Sequence, residues 1–429
     1  MQGSMSSVSP SLDDDRISNL PVALKQTILD LVPVRDAART CTLSKAWRET
    51  WTTRPCLVLN KLFYLQVINN KNEEAEQLSA FSSALDKIFA VQTGPIVETE
   101  IYIPSKLESH HIHQWIQHLT EKDVEVFRLD NSENDACLVP SVFFDFAKLK
   151  VLELDKWILS PPPESRCFSN LVSVDLIRVL IAAPVSFGTQ LQHLELHICD
   201  GIEHLVFTNI NNLKTLIIGM SSKIDWRWLE NAKNLERFSL VLSQADFIKS
   251  KSVNLIKLLS NCTRINFLLL HDFLLEILGP DPFTLKTHAT RMVNLKTLEL
   301  RVLSFNLLRI SNCLCLIRNL PNLQNLIVTL DFEVTRSNSA DSAIERYLEE
   351  LDREDVVLNK LQIVQIHGVI GVRSELQFSK VLLASSPSLE EISVFCSRAV
   401  SNPNEKLRIK QEFLELIKKS QHSQLLWHS

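Results

Sequence analysis

The sequence predicts an α/β chain in two parts, a small helical head followed by a long array of stacked strands. Three observations carry that expectation. Between residues 20 and 51 apolar and aromatic side chains fall at helical spacing and are interrupted by proline. From residue 149 onward the phrase L-x-x-L-x-L returns every 20 to 38 residues, a period that marks a solenoid. Where the spacing is longest, the residues between phrases carry helical patterns of their own.

In the head, Leu24, Ile28, Leu31 and Val32 stand at i, i+4, i+7 and i+8, one apolar stripe of a first helix. Pro33 ends that helix, because proline lacks an N–H and pushes the residue before it out of the α region. Asp36 is placed to cap a second short helix carrying Ala37, Ala38, Thr40 and Cys41. Ser44 is placed to cap a third, which holds Trp47 and Trp51 one turn apart on a single face. Chains below roughly 40 residues rarely close a core unaided, so the head's apolar side requires a cover from elsewhere.

These residues also resemble a known motif. Leu20-Pro21, Ile28-Leu29, Leu31-Val32-Pro33, Arg35-Asp36-Ala37, and Leu43-Ser44 followed by Trp47-Arg48 and Trp51 resemble the F-box in its plant version, over residues 13–60. The resemblance implies that the head docks on a Skp1-type adaptor and through it joins a cullin-RING ubiquitin ligase. It implies an adaptor-binding face of Leu20, Pro21, Leu24, Ile28, Leu31, Val32, Pro33, Ala37, Leu43, Trp47 and Trp51. The alternative, from burial alone, is a helical cap sealing the end of a longer domain.

Composition narrows the class. With 429 residues, 45% hydrophobic and 22% charged, the chain is long enough for two or three domains or one extended array, and is not globally disordered. Net charge is −5 and no basic block occurs, which gives nucleic-acid binding no support. Nine scattered cysteines without a C-x-x-C fit reduced thiols in the cytosol or nucleus. Residues 1–12 read as a polar, disordered lead rather than a signal peptide, and no long uncharged apolar run suggests a membrane span.

Residues 61–123 read as linker and N-terminal cap of the array, with a helix through Leu78, Phe81, Leu85 and Phe89 and a strand over 96–103. His110, His111, His113 and His118 are the one cluster with the look of a metal site. No acid or thiol stands at matching spacing, so a solvated helix with Ile112, Trp115 and Leu119 inward is expected, and no metal or cofactor.

The repeats, over 124–355, open with a plausible first copy at Val124–Leu129 and run through phrases at 149, 171, 191, 213, 235, 265, 295 and 323, while the last phrases, at 361 and 389, fall in the final segment. In each, the last two apolar residues should point into the stack and the residue between them outward, building a parallel sheet with one open, concave face. The array resembles leucine-rich repeats, irregular in length and mostly lacking the usual asparagine after the strand. Longer spacers leave room for helices over 247–259 and 304–317. The outward column runs Glu153, Asp175, Glu195, Ile217, Ser239, Leu269, Glu299, Ile327, Gln365 and Ser393. Its first acids, with Asp155, His193 and His197, suggest an acidic patch for a basic segment of a protein target. The later column, with Phe267, Phe395 and apolar residues such as Leu269, would offer a drier anchor, and Glu299 joins the candidate target-binding residues.

The last segment, 356–429, opens a strand near Leu361, turns at Gly368 and Gly371, and continues through a helix with Phe378, Val381, Leu382 and Leu383 inside. Its order resembles the FBD domain that follows F-box and leucine-rich repeats in plants, serving physically as a C-terminal cap. No phosphate-binding glycine loop, H-E-x-x-H or G-x-S-x-G is present, so no catalytic residue is assigned. The expected function is a non-catalytic substrate receptor of an SCF-type ubiquitin ligase. The alternative is a leucine-rich-repeat binding scaffold acting without any ligase.

Overall fold

Proline sets the start of the first two helices in the computed structural model, which describes residues 15–163, 168–207, 209–221, 224, 226–242, 255–276, 278, 282–303, 307–330, 341–351, 357–418 and 424–428. Helix α1 (Val22–Asp30) follows Pro21 and α2 (Val34–Arg39) follows Pro33, both prolines with φ close to the value the ring imposes. Asp36 therefore does not cap the second helix as the sequence suggests. It falls in the first turn, where a negative charge favours the helix start, and pairs with Arg39 at 3.3 Å. Helix α3 (Lys45–Thr52) is capped as expected, the Ser44 hydroxyl accepting from the Trp47 N–H. The lead over 1–12 lies outside the described residues.

The chain divides into two compact units, Met1–Leu171 with Ala182–Val185, and Val172–Ile181 with Ser186–Ser429. In the first, the sheet starts inside the span that the sequence assigns to the head. Strand β1 (Cys56–Leu59) pairs in parallel with β2 (Glu98–Tyr102), which pairs with β3 (Val126–Asp130). Two-residue β4 (Cys137–Leu138) precedes β5 (Val151–Asp155), the next partner of β3, and β6 (Trp157–Leu159) pairs with β4 behind it. Residues 61–123 contribute the strand expected over 96–103, found as β2, and the helices beside it. Helices α4 (Lys61–Ile68), α5 (Glu74–Val91) and α6 (Ser109–Thr120) lie between the strands of the sheet. Phe63, Phe81 and Trp115 pack as a ring cluster beneath them, with Phe81 to Trp115 centroids 6.1 Å apart. The head is tied to this layer by backbone. The carbonyl of Thr52 accepts from the N–H groups of Thr93 and Gly94, and the Gln92 amide donates to the Trp51 carbonyl.

In the second unit β7 (Ser173–Ile177), β8 (Leu180–Ile181), β9 (Val185–Phe187), β10 (His193–His197), β11 (Leu205–Phe207), β12 (Thr215–Gly219), β13 (Arg237–Val241), β14 (Phe267–His271) and β15 (Thr297–Leu303) follow one another. After them come β16 (Asn325–Leu330), β17 (Ile363–Val369), β18 (Glu391–Cys396) and β19 (Gln424–His428). Ten of these form one ladder, β7-β10-β12-β13-β14-β15-β16-β17-β18-β19, every described pair parallel. Register follows the phrase, Leu194 standing beside Val174 and Leu216. The last two apolar positions of each phrase are buried throughout, as in Leu298, Leu300, Leu326 and Val328.

Two features hold successive repeats together that the phrase alone does not reveal. The asparagine immediately before its first leucine donates its side-chain amide to a backbone carbonyl one repeat back. Asn212 reaches Thr189, Asn234 reaches Asn211, Asn294 reaches Thr263 and Asn322 reaches Val293, at 2.6 to 2.7 Å. Such bonds satisfy carbonyls that the turns leave without a ladder partner. Directly after the strand, where asparagine is customary, stand Lys156, Arg178, Ile198 and Met220, each with positive φ. Arg178, Ile198 and Met220 donate their N–H to the last strand residue of the next repeat at 2.6 to 2.7 Å, which offsets the left-handed backbone.

Of the outer helices expected over 247–259 and 304–317, the described parts are Leu255–Asn261 and Leu307–Asn319; residues 247–254 and 304–306 lie outside the described residues. At the end of the chain Gly368 and Gly371 turn with φ of 81° and 79°, as the sequence reading expects. The helix Arg373–Ala384 buries Phe378, Val381, Leu382 and Leu383, and the helix Pro403–Ile417 leads to β19.

Candidate functional site

Two surfaces stand out, and the first belongs to the head. The stripe of α1 does not face the interior: Leu24 is 52% exposed, Leu31 81%, and Leu43, between α2 and α3, 63%. Pro21, Ile28 and Pro33 are also exposed, and Leu20 and Val32 half-buried. The side of α1 that packs inward carries Leu29 and the stem of Lys25, whose ammonium donates to the Ser18 carbonyl. Ala37, Trp47 and Trp51 correct the sequence reading. All three are in the head's interior, the tryptophans only 2% exposed, so they support the open face from behind instead of forming it. The reason is size: two indoles one turn apart supply most of the core of a head this small. Ile17, Leu62 and Leu65 are exposed apolar residues that the sequence reading did not single out. Arg54, buried beneath, bonds Asp30 through Nε at 3.1 Å and joins the end of α3 to the end of α1.

The second surface is the open face of the sheet, and it departs from the expected acidic patch. Glu153 is not a free acid: Arg128, its register neighbour on β3, holds it at 2.9 Å and holds Glu98 at 2.5 Å. Cross-strand pairing with an arginine removes the like-charge problem that a row of acids would create. Asp155 likewise has an interaction partner. In the second unit Asp175 and Glu195 stand opposite each other on β7 and β10, with His193 and His197 flanking Glu195 on the same face. Further along, Leu269, Ser239 and Ser393 are covered by their neighbours, Arg237 lies over the Phe267 ring at 4.0 Å, and Glu299 pairs with Arg301 at 2.9 Å. The drier stretch is therefore narrower than its sequence suggests, because Leu269 is buried and Phe267 roofed. An open cleft of about 530 Å³ lies beside the starts of β13 to β16, lined by polar groups including Glu236, Arg264, Lys296 and Asn325.

Comparison with known proteins bears on both surfaces. Residues 17–59 match the F-box domain. An F-box/FBD/LRR-repeat protein of Arabidopsis thaliana is 27% identical over 96% of this chain and 98% of its own length. A second protein of the same description from that plant is 30% identical over 39% of this chain and 38% of its own, and a third is 23% identical over 89% of each. Over nearly its whole length the chain is similar to a plant F-box/FBD/LRR-repeat protein, and its F-box match lies in the head.

The matched F-box domain runs from just before α1 to the end of β1, so it includes the first strand of the sheet. The histidines of α6 behave as its amphipathic pattern expects: Ile112, Trp115, Ile116 and Leu119 are buried, and the Trp115 N–H donates to Asp86 at 2.8 Å. His110 is turned to Glu108 and lies tilted against His111, with ring centroids 4.0 Å apart. All eight described cysteines are free. Cys41 and Cys396 are half-buried, and desolvation pushes both thiols up. Burial raises Cys199 and Cys262 further, to about 11, which keeps them protonated and poor nucleophiles. Among the described residues no helix is long and apolar enough to cross a membrane.

Proposed function

We propose that the chain is the non-catalytic substrate-recognition subunit of an SCF-type ubiquitin ligase, acting in the cytosol or nucleus. The F-box docks a Skp1-type adaptor through Leu20, Pro21, Leu24, Ile28, Leu31, Val32, Pro33 and Leu43, while the repeats and the FBD-like end select a protein target. The observation that carries this reading is the outward stripe of α1 within a matched F-box. Folded chains rarely leave several large apolar side chains open on one short helix unless another protein covers them. The target then meets the open face of the sheet, which we read as the concave side, and ubiquitin transfer is the work of the assembled ligase. Burial and a raised pKa at Cys199 and Cys262 make neither of these two a ubiquitin carrier.

The test is capture of a purified Skp1-type adaptor by the full chain and by a Leu24→Glu, Leu31→Glu double variant. Two interface anchors of this kind are worth about 2 kcal/mol or more together, so capture should weaken at least about 30-fold with the melting curve unchanged. Unaltered capture by the double variant would defeat the reading.

A further inference from the structure

The open face of β7 and β10 gathers three groups of the kinds that ligate metals. Glu195 and His197 are two residues apart on β10 and so project from the same face. Asp175 stands opposite Glu195 in register on β7. One ligand atom from each of the three, two carboxylate oxygens and a ring nitrogen, lies within 4.8 Å of the others. Among the described residues this is the group that achieves such convergence, and the histidines of α6 do not.

The separation within the group is informative. His197 Nε2 is 3.6 Å from Glu195 Oε2, longer than a hydrogen bond. Two ligands each about 2.1 Å from one zinc ion at the tetrahedral angle stand about 3.4 Å from each other. The observed gap of 3.6 Å between these two ligand atoms is close to that separation.

A second observation, outside the three ligands, concerns how the imidazole is seated. Gly219 on β12 is the register partner of His197, and a Cβ built there would come 2.7 Å from His197 Nδ1. The missing side chain leaves room for the ring to lie against the β12 backbone by its Nδ1 edge, with Nε2 on the side of Glu195. Gly219 is not needed for its backbone, since it is absent from the positive-φ glycines. A second strand thus contributes a shape that orients the ligand, as supporting groups do around metal-binding histidines.

We propose that Asp175, Glu195 and His197 form a binding site for a divalent transition metal of the zinc class. Two carboxylates and a neutral imidazole balance the charge of such an ion. Three protein ligands leave the fourth tetrahedral position open to water or to a side chain of a docked protein. The site does not depend on the adaptor reading, because it lies on the sheet of the second unit.

Zinc chloride titrated into the full chain by calorimetry tests it, with cobalt(II) absorption in the visible as a second reporter of tetrahedral geometry. One equivalent is expected to bind and to weaken about tenfold or more in His197→Ala and in the Asp175→Asn, Glu195→Gln pair. Gly219→Ala should weaken it as well by displacing the ring, with the melting curve unchanged, while His110→Ala with His113→Ala leaves it intact. Wild-type zinc affinity in His197→Ala, or loss of the bound equivalent in the α6 variant instead, would overturn the proposal.

Discussion

Helices α1 and α3 lie in the same small head, each with large apolar residues one turn apart, and they use them in opposite directions. α3 turns Trp47 and Trp51 inward until almost nothing of either remains exposed, whereas α1 turns Leu24, Ile28 and Leu31 outward. Spacing alone makes the two stripes equivalent. What separates them is the side each packs inward: α1 buries Leu29 and the stem of Lys25, which turns its other leucines outward, while α3 buries both indoles. An apolar stripe therefore shows that something must cover it, and the packing decides whether the cover is the chain or another protein.

The largest test of that division is Trp47→Ala. Removing a fully buried indole should cost about 3–5 kcal/mol of stability, read from chemical denaturation of the full chain. A loss below about 1 kcal/mol would mean that α3 is not the core side of the head.

Charged residues obey the same division, and Glu375 shows it at the far end of the chain. On the helix Arg373–Ala384 it sits in the first turn, a position that pattern alone assigns to solvent, yet it is buried beside Phe378 and Ser379. Its Oε2 accepts from the N–H groups of Gly371 at 2.8 Å and Ile370 at 3.0 Å. Desolvation nevertheless outweighs those bonds and lifts the carboxyl to about 7. Below about pH 4.5 the group is neutral in both states. Between about 4.5 and 7 the unfolded chain releases the proton while the folded chain keeps it, so stability falls as pH rises through that window and is level above it. From this group the fall is about 3 kcal/mol. Glu375→Gln keeps an acceptor for both N–H groups and should remove that component, making the variant the more stable at about pH 8 and equal to the parent near pH 4. Identical pH profiles for the two would show that Glu375 is solvated after all.

How much of this was legible beforehand follows from the same physics. Strand phrases were readable because period-2 alternation inside L-x-x-L-x-L requires only local sequence: Leu194 and Leu196 go in, and Glu195 between them goes out. β1 was missed because Cys56–Leu59 is too short for any period to register. The asparagine ladder escaped because its bonds span a whole repeat, as from Asn322 to Val293, and the expected asparagine was sought after the strand. The acidic patch failed at Glu153 because its partner, Arg128, is distant in sequence but adjacent in register. The side on which α1 presents its leucines is likewise a tertiary fact.

A smaller effect is expected at the cap that starts α3. Ser44→Ala removes the side-chain acceptor of the Trp47 N–H and the partner of the Ser18 hydroxyl at 2.8 Å, a change worth about 1 kcal/mol. Asp at the same position should restore most of it, since a carboxylate accepts the same N–H and favours the helix start. A Ser44→Asp variant as unstable as Ser44→Ala would place the loss elsewhere than the cap.

The smallest effect is the most decisive for the comparison. Leu24→Glu and Leu31→Glu, each measured in the isolated chain, should shift stability by no more than about 0.5 kcal/mol, because an exposed leucine has little burial to lose. Had α1 been packed like α3, a glutamate in its stripe would bury a charge without a partner and cost several times as much. Denaturant midpoints with an unchanged slope separate the two cases, since an altered slope would report a change in the surface exposed on unfolding. A loss above about 2 kcal/mol for Leu31→Glu would mean that the chain covers its own stripe and that no face is left for an adaptor. A near-zero loss, beside the collapse expected for Trp47→Ala, assigns α3 to holding the head together and shows that the chain leaves the stripe of α1 uncovered, as the proposed adaptor face requires.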